Sequence, residues 1–184
     1  HLTACETATA NIKAIATDPN TKTCKAALSG NRNIMFWNTY ETPNSSDTTV
    51  SLENTPIAPS SPGTAISLQF SADGEADFDI NYADAGQLSL LASYSAANGK
   101  TLSGTSSPFV SSPVAIVVYS DDANADCASV DASCSKFTKA GTPFNLKVNA
   151  ACWTDDADTD FTDNPLTPNF DLASIGINHT VLAP

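Results

Sequence analysis

The stretch from Ile66 to Tyr82 constrains the fold more than any other part of the chain. Ile66, Leu68 and Phe70 alternate with Ser67 and Gln69, and Ala76, Phe78, Ile80 and Tyr82 alternate with Asp77, Asp79 and Asn81. Side chains of a β-strand point to opposite faces with a period of two, so each run has one apolar and one polar face. Ala72-Asp73-Gly74-Glu75 lies between them, and two alternating runs around Asp-Gly predict a β-hairpin. One greasy and one wet face is the pattern of an antiparallel sheet solvated on one side. Helical periodicity is weak elsewhere. Further strands are expected over Ala10–Ala16, Asn33–Tyr40, Thr48–Leu52 and Gln87–Tyr94, the third set among the Ser-, Thr- and Pro-rich loops of Pro43–Pro62.

Turn signals at this spacing predict a β-sandwich and not βαβ units. In Asp84-x-Gly86-x-Leu88-x-Leu90 the chain resembles the Asp-x-Gly-x-Tyr-x-Cys stretch of immunoglobulin sandwiches, with Leu in place of the corner Tyr and the second core Cys. The expected fold is all-β: two tandem immunoglobulin-like antiparallel β-sandwich domains, 1–112 and 113–184. The second opens on the apolar run Val114–Tyr119, continues through Phe144–Val148 to Trp153, and ends on a strand over Ile175–Leu182. About seventy residues, many of them in loops, are too few to close a sandwich. This domain is therefore expected to be incomplete, and to be finished by residues beyond Pro184 or by a strand from a neighbouring molecule. The opening His1-Leu2-Thr3-Ala4-Cys5, without an initiator Met, reads as the start of a processed chain or as the interior of a longer one.

Charge narrows the function. Twenty acidic residues face eight basic ones among 184, a net charge of −12. Such a surface repels nucleic-acid phosphates and anionic lipid, which excludes a nucleic-acid binder. No run of eighteen apolar residues exists to span a membrane as a helix. A hydrophobic fraction of 41%, with eight Phe and two Trp, is enough for a packed core.

The five cysteines are Cys5, Cys24, Cys127, Cys134 and Cys152. No Cys-x-x-Cys occurs and there are only two His, which argues against zinc and for disulfides in an oxidising compartment. Cys5 and Cys24 flank the first strand-like run and are expected to pair. Cys127 and Cys134 are expected to close a short loop that contributes about 2–3 kcal/mol. Cys152 is left either as a buried thiol or as the partner of a cysteine outside the chain, and it could replace either member of the second pair.

Several stretches match a known family in order and spacing. They are Leu2-Thr3-Ala4-Cys5, Asn33-Ile34-Met35-Phe36-Trp37, Asn81 to Leu88, Ser107-Pro108-Phe109-Val110, Ala140 to Leu146, Thr167-Pro168-Asn169-Phe170 and Asn178 to Pro184. Together they resemble the large MshQ-like proteins encoded with mannose-sensitive haemagglutinin (type IV) pili, over almost the whole chain. The resemblance implies a bacterial surface or pilus-associated protein with repeated β-domains, an adhesive or assembly role, and neighbouring pilus or surface subunits as partners. It carries no catalytic residues.

Two acidic loops are candidate metal sites. One holds Asp122, Asn124 and Asp126; the other holds Asp156, Asp158, Asp160 and Asp163. Alternate Asp and Asn oxygens can converge on a hard cation, so Ca²⁺ is the candidate cofactor. Neither loop is an EF-hand: in the second, Phe161 stands where the sharp turn needs Gly, and Thr167 where the bidentate Glu belongs. A rival reading from the enzyme class makes the chain a secreted copper-dependent polysaccharide monooxygenase, with the His1 α-amino group and imidazole and His179 as ligands; the Leu2–Cys5 context fits the pilus family better. No Gly-x-Ser-x-Gly and no phosphate-cradling Gly-rich loop exist. Phe36-Trp37 could stack on sugar, but neighbours in a strand point oppositely, so one of them is expected in the core. The expected function is non-catalytic: a structural or adhesive module of an extracellular or bacterial-surface fibre, stiffened by disulfides and calcium, with strand addition joining subunits and a glycan or surface receptor as a further partner.

Overall fold

The computed structural model describes residues 1–97, 99–120 and 138–170. Its strands are β1 (Leu2–Thr3), β2 (Ala8–Lys13), β3 (Ile15–Thr17), β4 (Cys24–Ala26), β5 (Gly30–Thr42), β6 (Val50–Leu52), β7 (Thr55–Pro56), β8 (Thr64–Phe70), β9 (Glu75–Tyr82), β10 (Gly86–Ser95), β11 (Thr101–Thr105), β12 (Phe109–Ser112), β13 (Ala115–Tyr119) and β14 (Lys147–Ala151). The chain is all-β, and no helix occurs among the described residues.

Two sheets face each other. One has the order β1-β12-β10-β5-β8, with β11 also on β10; the other runs β2-β9-β6-β7. Every pairing in them is antiparallel except β1 with β12, which is parallel with Leu2 opposite Ser111. The core lies between the sheets. Ile34 and Phe36 of β5, Ile66, Leu68 and Phe70 of β8 and Leu88 of β10 meet Val50 and Leu52 of β6 and Phe78, Ile80 and Tyr82 of β9. Each of these large side chains contributes about 1.5–3 kcal/mol by leaving water. The Phe36 and Phe78 rings lie 5.4 Å apart across the gap.

The alternating rows over Ile66–Phe70 and Ala76–Tyr82 form strands and bury the faces the sequence predicts. Their connection differs from the expectation. β8 pairs with β5 and β9 with β2 and β6, so the two strands lie in opposite sheets and form no hairpin ladder. The Asp-Gly turn is an arch that folds one apolar row over the other. Gly74 sits there at φ +80, and a Cβ on it would stand 2.6 Å from the Ala14 carbonyl oxygen, so both the conformation and the close approach require glycine. Period-two burial specifies which face is inside, and an arch and a hairpin satisfy it equally.

β3 and β4 make a separate two-stranded flap after β2. In the second part of the chain β13 and β14 pair antiparallel, and Leu166 bridges Ala151 on the other edge of β14. The strand expected over Ile175–Leu182 lies outside the described residues.

Candidate functional site

The second part of the chain meets the base of the sandwich where β9 ends and β10 begins, and most buried polar chemistry gathers there. The segment Asp84-Ala85-Gly86 turns the chain from one sheet to the other. The Asp84 side chain is fully buried. Its Oδ1 accepts from the backbone N–H of Ala85 at 2.8 Å and of Asn169 at 2.9 Å, and its Oδ2 accepts from Thr48 Oγ1 at 3.2 Å. A buried carboxylate needs such donors to offset desolvation. Its own carbonyl accepts from Ser111 Oγ at 2.8 Å, which holds β12 against the turn.

Asn169 is the keystone from the other side. Its Nδ2 donates to Ser46 Oγ at 2.7 Å and to the Tyr82 hydroxyl at 3.2 Å. The Tyr82 and Ser46 hydroxyls share a hydrogen bond at 3.0 Å, and Ser46 Oγ also accepts from the Thr48 N–H at 3.0 Å. Burial raises the Tyr82 hydroxyl above its ordinary pKa, and the bonds with Ser46 and Asn169 oppose that shift. Thus residues 46–48, 82–84 and 169, far apart in sequence, share one network.

A disulfide lies beside it. Cys5 is bonded to Cys152 across a sequence separation of 147. Cys5 takes a left-handed conformation (φ 73) between β1 and β2. Its N–H donates to the Tyr82 carbonyl at 3.0 Å and its carbonyl accepts from Asn81 Nδ2 at 2.7 Å. Cys152 follows β14, is wholly buried, and donates its N–H to the Pro165 carbonyl at 2.7 Å. The Trp153 N–H reaches the Ala4 carbonyl at 3.0 Å. Backbone bonds, a cross-link and a side-chain network thus fasten the two parts over one small area.

This corrects the expected Cys5–Cys24 pair. Cys24 is an exposed free thiol in the β3–β4 flap. The flap stands at the Gly74 end of β9, where Ala14 bonds the Gly74 carbonyl, whereas Cys5 stands at the Tyr82 end. Eight strand residues separate the two ends, roughly 25 Å at the rise of a strand, and a disulfide bridges Cα atoms no more than about 7 Å apart. Flanking one strand in sequence places the two cysteines at its opposite ends. Cys152 is accordingly neither a buried thiol nor the partner of a cysteine elsewhere. Cys127 and Cys134 lie outside the described residues.

The acidic loop before Asn169 is organised from within. Asp158 accepts from Asn164 Nδ2 at 2.7 Å, Thr154 Oγ1 at 2.9 Å and the Asp160 N–H at 3.0 Å. Asp160 accepts from both the hydroxyl and the N–H of Thr162, and Asp156 from the Trp153 indole at 3.2 Å. Bonds from Asn164 and Thr154 hold the Asp158 carboxyl below the usual carboxylate range, and those from Thr162 do the same for Asp160. Among the described residues no three His, Cys, Asp or Glu side chains gather as a metal would require, so Asp156, Asp158, Asp160 and Asp163 are not brought together. Asp122, Asn124, Asp126 and His179 lie outside the described residues. His1 is exposed, with its ring Nε2 3.2 Å from Ser112 Oγ. Phe36 is in the core, and Trp37 lies half-buried against the turn at Gly63.

Sequence reasoning did not pick out Ser46, Asp84 and Asn169 as partners. Asp84 and Asn169 do stand in matched stretches, Asp84-x-Gly86 and Thr167-Pro168-Asn169-Phe170, but no local pattern says that they touch.

One other polar group is unusual. Asn38 of β5 points inward, is 1% exposed, and among the described residues neither amide atom of its side chain has a hydrogen-bond partner. On the open side of the sandwich, between β2 and β11, an apolar cavity of about 490 Å³ is lined by Ile12, Leu28, Phe70, Tyr94, Leu102 and Phe109 among others.

Comparison with known proteins gives two family matches. Residues 1–105 match the first Ig-like domain of a domain of unknown function, DUF6701, and residues 112–184 match the DUF6701 second domain. No curated protein and no solved structure matches the chain. With an all-β sandwich over the first, Ig-like match and the second fastened to it at Cys5–Cys152 and Asn169, the chain belongs to the DUF6701 family.

Proposed function

We propose that this chain is a non-catalytic structural or adhesive module of a bacterial surface or pilus-associated assembly, as its resemblance to MshQ-like proteins implies. The observation that carries the reading is where the chemistry has gone. The buried polar groups of the clasp, Asp84, Asn169, Tyr82 and Ser46, are satisfied by one another and fasten two parts of the chain. A catalytic site instead keeps a group poised for a substrate. The Cys5–Cys152 bridge supports an oxidising compartment, because such bonds persist outside the cytosol, and the net charge of −12 supports solubility on an exposed surface. Neighbouring subunits are the partners of this reading, and edge strands such as β2, which among the described residues pairs with β9 alone, offer backbone for strand addition.

The test is made on intact cells that produce the protein. Protease added outside the cells should remove it, and it should co-purify with sheared surface filaments. Protection from the protease until the cells are lysed would refute the location. Loss of the protein without change in filament assembly or surface attachment would refute the role.

A further inference from the structure

The position of the disulfide has a mechanical consequence. Cys5 is reached after four residues from the start of the chain, and Cys152 is 147 residues further on. Between them lie strands β2–β12 of the first sandwich and the β13–β14 pair; β1 alone precedes the bridge. On its near side the bridge is seated by the bonds from Cys5 to Tyr82 and Asn81, and on its far side by those from Cys152 and Trp153 to Pro165 and Ala4. The non-covalent anchor of the first residues on β12 is short: two paired positions and one further bond, from the Ala4 N–H to the Ser112 carbonyl at 2.8 Å.

We propose that the Cys5–Cys152 bond takes the body of the first Ig-like domain, strands β2–β12, out of the load path of the chain. Tension applied at the two ends runs from Cys5 through the sulfurs to Cys152 and onward. Strands β2–β12 hang from this line as a closed covalent loop that pulling cannot extend. With the bond reduced, tension passes beyond the short β1–β12 contact and the Cys5–Tyr82 backbone bond into the sheets. The proposal deepens the structural reading above by naming what the fold protects. Its test reads chain length, not assembly, so either can fail without the other.

The experiment is single-molecule stretching of the full chain between end tags free of cysteine, with Cys24→Ser as background to prevent exchange with the exposed thiol. Oxidised molecules should extend by at most the residues outside the loop, about 36 in number or roughly 130 Å at 3.6 Å each. Addition of a phosphine reductant should lengthen the chain by about 530 Å, the contour of 147 residues. The total length reports the result even if the reduced sandwich is already unfolded before it is pulled. An oxidised chain that extends to full length overturns the proposal. So does a gain on reduction of only about 70 Å, which is what a bridge from Cys5 to a cysteine some nineteen residues away would release.

Discussion

Replacing Cys152 with Ser should be the most damaging single change in the clasp. The bond closes a loop of 147 residues. In the chain-entropy account of cross-links, a loop of that size restricts the unfolded state by about 17 cal/mol/K, or about 5 kcal/mol at 25 °C. Unfolding entropy is about 2.1 cal/mol/K per residue near 60 °C, roughly 0.39 kcal/mol/K for a chain of this length. The loss therefore corresponds to a fall in Tm of about 13 °C. Cys24→Ser is the control: an exposed cysteine with no bond to lose should change stability by no more than about 0.5 kcal/mol. Melting of oxidised protein followed by circular dichroism checks both. If Cys5 were bonded to Cys24 instead, the shorter loop would contribute about 3 kcal/mol, and the two variants would exchange ranks. A Cys152→Ser protein melting within 3 °C of the parent, or a Cys24→Ser protein melting about 8 °C below it, would refute the assignment. Peptide mapping without reduction should in addition recover Cys5 and Cys152 together, with Cys24 alkylated.

Other outcomes follow from the same geometry. Asp84→Ala should destabilise by about 3 kcal/mol in denaturant unfolding, because it strands the N–H groups of Ala85 and Asn169 and the Thr48 hydroxyl in a buried site. Asn38→Leu, close in shape and free of the unpaired amide, should stabilise by about 1–3 kcal/mol, read as a higher Tm. The Tyr82 hydroxyl should ionise above the ordinary tyrosine range in an ultraviolet pH titration. Its folded pKa is raised, so its contribution to stability is complete below the ordinary tyrosine value and is lost as pH climbs through the folded one. Tyr82→Phe should delete that late step. At the acid end, Asp158 and Asp160 have lowered folded pKa values, so their contribution is present above the ordinary carboxylate range and is lost as pH falls through the folded values. Asp158→Asn should flatten the acid limb of a Tm-against-pH curve.

How much of this was legible in the sequence depends on the range of the interaction. Alternation over Ile66–Phe70 and Ala76–Tyr82 gave the strands and their buried faces correctly, because the pleat alone sets a period of two. Leu88 and Leu90, two apart in the strand expected over Gln87–Tyr94, share a face by the same period, and both are buried. The partner of each strand was not legible. β8 joins β5, more than twenty residues upstream, because the apolar row of that long strand offers β8 a partner, and nothing inside Ile66–Tyr82 reports it. The candidate site was still less visible. Ser46, Asp84 and Asn169 are ordinary loop residues until the fold brings them together.

The cysteines show most plainly why the local reading fails at the junction. A short loop is cheap to close, so proximity in sequence favours Cys5 with Cys24 in an unfolded chain. The cost of a longer loop grows only logarithmically, however: going from nineteen residues to 147 adds about 2 kcal/mol. A modest network can outweigh that difference. The backbone bonds from Cys5 to Tyr82 and from Trp153 to Ala4, with the three bonds made by Asn169, each contribute about 0.5–1.5 kcal/mol and together exceed it. These bonds form only when the sandwich and the second part of the chain are both in place. Pairing is therefore selected by tertiary structure that already exists, and the disulfide locks a junction that hydrogen bonds have first aligned. It follows that Asn169→Ala, which leaves every cysteine intact, should lower the yield of the Cys5–Cys152 bond on refolding under a glutathione redox buffer. An unchanged yield would show that the cysteines find each other without the clasp.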